Sequence, residues 1–397
     1  MSASLPTPDQ VAASRWYADT GGPVRAVEPL AALPLDGRGL LTVLAVQAPP
    51  GPDERYLWLE GDVGQALADL VRDGRPEAPG FTVARTSATP SMPDCSGERP
   101  IEIDQSNTSI VVGERLVVKL FRRLAAGPHP EIELGAQLTE HGFAAVPALF
   151  GSVHYGDAAV ASVHAYVPRA RDGWDWAGEA VIAGQVDELQ RLGELTAEMH
   201  RVLAGLGGGS AGRAERDRWH AAARAQLDRA LAISGDSARA VLEQHRPGIE
   251  AGLDGLRGDV PAALSRVHGD YHVGQILNAG RRLWIIDFEG EPGRSLDERR
   301  QPGSPLRDVA AMLRSFDHLA RHVDRDRRAI GPAAVDAWIA DARAAFLAGY
   351  GPLDRSLLRA FEVEKECYEF TYAATYLPDW AYVAEGGMRW LMEHGDG

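Results

Sequence analysis

Residues 266–291 read RVHGDYHVGQILNAGRRLWIIDFEGE, and the spacing of the polar groups within them decides the fold. Asp270 is followed five residues later by Gln275, and an apolar run at 283–286 then ends in Asp287-Phe288-Glu289. Phosphoryl transfer needs this set. One carboxylate accepts or orients the proton of the attacking hydroxyl, while an amide oxygen and a second carboxylate hold magnesium on the nucleotide phosphates. Protein kinases carry these groups in the same order, as H-R-D-x4-N and then D-F-G. Gln275 in place of Asn keeps the amide oxygen on a longer stem. Either short motif alone is commonplace in turns and strand ends; the ordered pair, separated by a hairpin, points to a kinase.

Such an enzyme also needs a strand lysine for the phosphates and a helix glutamate to aim it. Lys119 lies in Val117-Val118-Lys119-Leu120, inside an apolar run that pairs with residues 108–112 about a Gly113-Glu114 turn. Glu131 and Glu133 open the helical stretch that follows, and Glu133 is taken as the partner. No G-x4-G-K-[ST] occurs, and the glycine run at 205–212 lacks both a lysine and a flanking strand, so it reads as a flexible loop. The candidate phosphate cradle is QSNTS at 105–109, with Ser106 and Asn107 as nucleotide-binding residues; a plain turn is an equal reading of the same residues.

The chain has 397 residues, a formal net charge of −15 and 45% hydrophobic residues, which is ordinary for a globular protein. The acidic excess argues against nucleic acid or an anionic membrane surface as the main partner. No run of 18 apolar residues occurs, the first ten residues lack the features of a secretory signal, and the two cysteines form no CxxC. A cytoplasmic location is expected. Only two of the 41 basic residues are lysines, Lys119 and Lys365. A compositional preference for Arg leaves lysine where a point charge rather than a planar fork is needed, or by chance. Lys119 meets the first condition; Lys365 reads as a solvent-facing helix residue.

Apolar runs divided by Pro/Gly turns make residues 1–90 a β-rich region, and 101–168 a small α+β lobe. From 171 to 397 the pattern is mainly helical. Val186, Leu189, Leu192, Leu195, Met199 and Val202 mark one helix face, Ser304-Pro305 starts another helix, and two more, near 332–349 and 355–376, close the chain.

The chain resembles the aminoglycoside phosphotransferase-like kinases and, within them, the actinobacterial maltokinases and related glucosamine kinases. The residues that carry this are Asn107-Thr-Ser, Val118-Lys119-Leu-Phe-Arg-Arg, His268-Gly-Asp-Tyr-His-Val-Gly-Gln, Ile286-Asp-Phe-Glu-Gly-Glu-Pro292 and Ser304-Pro-Leu-Arg-Asp-Val-Ala-Ala-Met-Leu-Arg-Ser-Phe316. The resemblance implies an α+β, protein-kinase-like bilobal fold, with an N-terminal cap subdomain at 1–90, an intermediate subdomain at 91–170 completing the N-lobe, and a helical C-lobe at 171–397. It also implies ATP, Mg2+ and a small-molecule sugar acceptor. Maltokinases tend to read Arg-Trp-Phe-Ala-Gly-Lys near the N-terminus, whereas this chain has Arg15-Trp-Tyr-Ala-Asp-Thr20. The segment from Glu364 through Tyr376 to Val383 is more similar to the glucosamine kinases.

Glu366 and Glu369, three residues apart, share a helix face, and Pro378, Asp379 and Trp380 follow. Carboxylates with an aromatic platform suit a polyhydroxylated ring bearing an ammonium group. The expected activity is phosphorylation of glucosamine at the 6-position, with maltose 1-phosphate formation or aminoglycoside modification as rivals. A solvated acidic helix face is the plain alternative for Glu366 and Glu369.

Overall fold

Period-two burial organises the first part of the chain. In the computed structural model, which describes residues 5–14, 16–17, 22–49, 51–76, 78–101, 107–280, 282–291, 293–327 and 330–394, a short helix α1 (Pro8–Ala12) precedes strands β1 (Ala26–Leu35), β2 (Gly39–Gln47) and β3 (Glu54–Gly61). Helix α2 (Gly64–Asp73) follows, then β4 (Phe81–Arg85), β5 (Glu98–Ile101), β6 (Thr108–Val112), β7 (Leu116–Leu120) and β8 (Arg123–Leu124). Helix α3 (Pro130–Glu140) leads to β9 (Leu149–Tyr155) and β10 (Ala158–Ala165). These strands form a four-stranded sheet in the order β1-β2-β3-β8 and a six-stranded sheet in the order β4-β9-β10-β7-β6-β5.

The chain divides into two units, residues 1–169 with 292–299, and residues 170–291 with 300–397. Residues 1–90 and 91–170, read from the sequence as two subdomains, share one core within the first unit. Strand β4 joins the six-stranded sheet and β8 the four-stranded one. Leu33, Leu41, Leu57, Leu67, Phe81, Val118, Phe150 and Val163 belong to a single buried cluster.

Lys119 owes its position to the hairpin. Leu116, Val118 and Leu120 are fully buried, so the alternating residues Val117 and Lys119 take the other face. The register sets Lys119 between Ser109 on β6 and Ser162 on β10. The turn is made by Gly113 and Glu114, both at positive φ.

The second unit is mainly helical. It contains α4 (Gly173–Ala183), α5 (Asp187–Ala204), the short strand β11 (Gly209–Ala211), α6 (Arg213–Ile233), α7 (Asp236–Asp254) and β12 (Ala262–Leu264). The hairpin β13 (Ile276–Asn278) and β14 (Leu283–Ile285) follows. After α8 (Leu296–Arg299), which groups with the first unit, come α9 (Leu306–Arg327), α10 (Pro332–Tyr350), α11 (Arg355–Tyr376) and α12 (Ala381–His394). Among the described residues no helix is long and apolar enough to cross a membrane.

Two departures from the sequence reading have local causes. Part of the glycine run is ordered: Gly209–Ala211 pairs with Ala262–Leu264, a ladder too short to leave a period. Helix α12 was not foreseen, because Gly386-Gly387 in its middle lowers helix propensity. Those glycines fit close contacts. A Cβ at Gly386 would stand 2.7 Å from Arg321 Cδ, and one at Gly387 would stand 2.7 Å from Glu366 Oε1 and 3.0 Å from Arg314 Nη1.

Candidate active site

The loop bearing Asp270 is tied down by a residue forty positions away. Asp308, in the first turn of α9, accepts hydrogen bonds from the backbone N–H of His268 at 2.8 Å and of Gly269 at 3.0 Å. His200 Nε2 lies 3.1 Å from the same carboxylate, and its Nδ1 lies 3.0 Å from the Tyr350 hydroxyl. Burial raises the Asp308 carboxyl, but the hydrogen bond and charge of His200 with the backbone N–H groups outweigh it, so the group sits below its ordinary value. Asp308 lay within the quoted segment but drew no role from the sequence, because its partners are distant in the chain. His200 is 5% exposed and bridges Asp308 to Tyr350.

His268 Nε2 is 2.9 Å from the Ile286 carbonyl, which fastens this loop to the end of the β13–β14 hairpin. Tyr271 OH meets Thr196 of α5 at 2.8 Å, and the Val273 N–H donates to Ser315 Oγ at 3.1 Å. Gly269 has φ +85, and a Cβ there would lie 3.1 Å from Gly290 Cα, so glycine is required. Asp270 is thereby presented on a fixed loop with its side chain 30% exposed. Burial raises its carboxyl above the ordinary value, although His272, Lys365 and His268 pull the other way. His272, with Nε2 3.9 Å from Asp270 Oδ2, is lowered by burial despite Asp270.

Gln275 and Asp287 come together. Gln275 Nε2 donates to Asp287 Oδ2 at 3.2 Å, and a half-turn of the amide presents Oε1 on the same side. Asp287 sits at φ +68, a left-handed conformation uncommon for a non-glycine residue. Among the described residues no group of three or more His, Cys, Asp or Glu side chains can hold a metal alone. Two hard oxygen donors fit magnesium, and Gln275 and Asp287 are the residues that would hold it.

In the first unit, the sheet face that carries Lys119 also carries buried Ser162 and half-buried His164 of β10. Burial and the Lys119 charge push His164 down to about 4, so it is neutral near pH 7. Glu131, on the buried face of α3 with Leu134 and Leu138, places Oε1 3.6 Å from His164 Nε2; Glu133 is half-buried. Asn107 is half-buried next to β6, and Ser106 lies outside the described residues.

Helix α11 requires a correction. Glu366 was expected to face the acceptor, yet it is fully enclosed, with Oε2 2.7 Å from Arg314 Nη1 of α9. His318 Nε2 lies 3.8 Å from its other oxygen, an electrostatic contact rather than a hydrogen bond. One turn earlier, buried Glu362 meets Arg343 Nη2 of α10 at 3.0 Å. Glu369 is partly exposed and is bound by Lys365 Nζ at 3.0 Å, with the Lys365 ammonium 4.4 Å from the Tyr368 ring centroid. Burial raises Glu369, but Lys365 and His318 outweigh it and hold the carboxyl low. Lys365 is thus not the solvent-facing residue read from the sequence. Trp380 stacks on His322 at 4.8 Å and meets Trp174 edge-on at 6.1 Å. Trp174 Nε1 would lie 2.8 Å from a Cβ at Gly274, so this aromatic group borders the loop of His272 and Gln275. Trp174, just inside the Asp172 cap of α4, was missed; nothing in its local sequence marks it.

Residues 97–361 match the model of the phosphotransferase enzyme family. The chain belongs to that family. It is 36% identical over 358 residues to a glucosamine kinase of Streptacidiphilus jiangxiensis, covering 82% of this chain and 80% of that one. A glucosamine kinase of Mycolicibacterium smegmatis is 31% identical over 365 residues, 85% and 91% of the two chains. A solved glucosamine kinase in complex with glucosamine, ADP and inorganic phosphate superimposes with a TM-score of 0.76 at 29% identity, over 96% of this chain and 98% of that one. The kinase-like fold, with a β-sheet N-lobe and a helical C-lobe, follows from that likeness.

Proposed function

We infer that this member of the phosphotransferase family transfers the terminal phosphoryl group of ATP to glucosamine, at the 6-hydroxyl. The reading is carried by the pre-formed loop presenting Asp270 beside the Gln275–Asp287 pair, in a chain similar over most of its length to glucosamine kinases. Asp270 takes the proton of the attacking hydroxyl, a role that its raised carboxyl suits. Gln275 and Asp287 would hold magnesium, which supplies charge neutralisation at the phosphates when bound. Lys119 pairs with the nucleotide phosphates and Glu133 aims it, with Ser106 and Asn107 as further nucleotide-binding residues. Glu131 is engaged by His164.

At the acceptor end, Asp270, Glu291 and Glu369 stand around the Lys365 ammonium. The net negative charge there favours an ammonium-bearing sugar, and Trp380 offers a ring platform near the loop. Two free cysteines and the use of ATP suit a cytoplasmic setting. ADP release over a panel of glucosamine, glucose, N-acetylglucosamine, maltose and an aminoglycoside tests the reading. Glucosamine should give the highest kcat/KM. Maltose or the aminoglycoside in first place would replace it with one of the rivals.

A further inference from the structure

Arg122 stands where the chain passes from the six-stranded sheet to the four-stranded one. The Phe121 N–H donates to the Val160 carbonyl of β10, and the Arg122 carbonyl accepts from the Leu57 N–H of β3. The Arg122 guanidinium lies 4.6 Å from the ring centroid of Trp16, which packs with Tyr56 in a small apolar cluster on one face of the four-stranded sheet. Arg122 is 6% exposed, yet among the described residues no carboxylate opposes it and no partner meets its Nε. Burial therefore pulls the guanidinium down to about 10. Two further donors on this face are in the same condition. Trp58 of β3 is paired with Thr42 of β2, and the Trp58 Nε1–H and the Thr42 hydroxyl are both buried without a partner among the described residues. Alternation sets Trp58 on the face of Tyr56, and Thr42 on that of Leu44. The Leu57–Arg122 hydrogen bond brings the Arg122 backbone to one strand spacing from β3, beside Trp58. Glu54, also on this face, is already shared by the Tyr56 hydroxyl at 2.6 Å and by Arg123.

Buried donors in folded proteins find acceptors, and buried charges find counter-ions. Water would serve the hydroxyl and the indole but would leave the cation unopposed. A guanidinium, an indole N–H and a hydroxyl call together for one negatively charged group with several oxygens. A carboxylate fills the fork of an arginine and has little left for two more donors. A phosphate group brings a larger charge and keeps oxygens free beyond the fork. We propose that Arg122, Trp58 and Thr42 form a phosphate-binding site on the four-stranded sheet of the first unit. The nucleotide phosphates fall to Lys119, which is on the six-stranded sheet, so this is a second anion site with an effector in place of a reactant. Free inorganic phosphate and the phosphoryl end of a sugar phosphate both supply the required group. The second source is the product of the proposed reaction, and that arm alone rests on the glucosamine reading.

The test uses the full-length enzyme saturated with ADP and Mg2+, so that the nucleotide site is filled. Inorganic phosphate is titrated in while the indole N–H signals are followed by proton–nitrogen NMR, with Trp58 assigned by the signal lost in Trp58→Phe. The Trp58 signal should move and saturate, and the melting temperature should rise with phosphate. Acetate and chloride at equal ionic strength should leave both in place. Arg122→Met should weaken phosphate binding by about tenfold or more, the usual loss for a charge-assisted hydrogen bond. Glucosamine 6-phosphate is the second arm. Saturation at a lower concentration than inorganic phosphate supports the site with the product as its source, and saturation by inorganic phosphate alone supports it with the free ion. An unmoved Trp58 signal with either probe, a titration unaltered in Arg122→Met, or acetate moving the signal as far as phosphate does would each overturn the proposal. If Arg122→Met unfolds, Arg122→Lys, which keeps the charge and removes the fork, carries the same titration and should also bind more weakly than wild type.

Discussion

Helix α11 carries two acidic clusters one turn apart, and they do opposite things. Glu362 and Glu366 are enclosed, each opposed by an arginine from a neighbouring helix, with Arg314 itself 1% exposed. Glu369 and Lys365 are partly open and stand near Asp270, His272 and Glu291. What separates them is the origin of the counter-charge. When a packed helix supplies it, the carboxylate becomes part of the scaffold. When the same helix supplies it at an open edge, hydrogen-bonding capacity is left over for a ligand. The sequence of α11 cannot distinguish the cases, because Arg314 and Arg343 lie on α9 and α10.

The comparison breaks most sharply at its catalytic edge. Asp270→Asn should fold as wild type and bind nucleotide normally while turnover falls about 10²–10⁴-fold, the range for loss of a general base. Single-turnover ADP release measures this, and an enzyme of near-normal rate removes Asp270 from the role. At the enclosed edge, Glu366→Ala takes the hydrogen-bonded partner from buried Arg314, leaving it only the longer ion pair to Glu362 at 3.8 Å and the charge of Asp317, which should cost about 3 kcal/mol of stability. The double change Arg314→Met/Glu366→Leu should recover most of that loss in denaturant unfolding. A single variant as stable as wild type would mean that the pair is not part of the scaffold.

Between the two sits Glu369→Gln. It should narrow the preference for glucosamine over glucose by roughly tenfold while stability shifts little. A drop in melting temperature as large as that of Glu366→Ala would erase the distinction drawn here. The smallest effect concerns the face of Lys119. His164 has a folded pKa of about 4 against an ordinary 6.5, so the unfolded chain binds the extra proton first. Its contribution is therefore complete above about pH 6.5 and is lost as the pH falls towards 4. Unfolding of His164→Gln should lose this part of the acid sensitivity, and an unchanged pH profile would place the histidine outside the titration.

What could be read from the sequence follows the distance between interacting groups. Asp270, Gln275 and Asp287 lie within eighteen residues, and Lys119 lies in a hairpin closed by two residues, so spacing alone displayed them. Helix α5 was likewise visible in its apolar period, and α9 in its Ser304-Pro305 start. Asp308 could not be assigned, because its hydrogen bonds span about forty residues. Glu366 and Lys365 were exchanged in role for the same reason: solvent exposure on a helix is decided by the helices packed against it.

Gly387 carries this last point to the end of the chain. Its bare backbone lies against Glu366 and Arg314, so α12 closes over the ion pair with no side chain intervening. The final helix is thus a water seal whose fit depends on an atom being absent. Adding one methyl group at 387 would push it into a carboxylate that has no room to retreat. Trimming the chain before α12 would let solvent reach the pair and reduce it to the near-neutral worth of an exposed one. A distant and chemically inert position therefore governs the dielectric around the ion pair that α11 shares with α9.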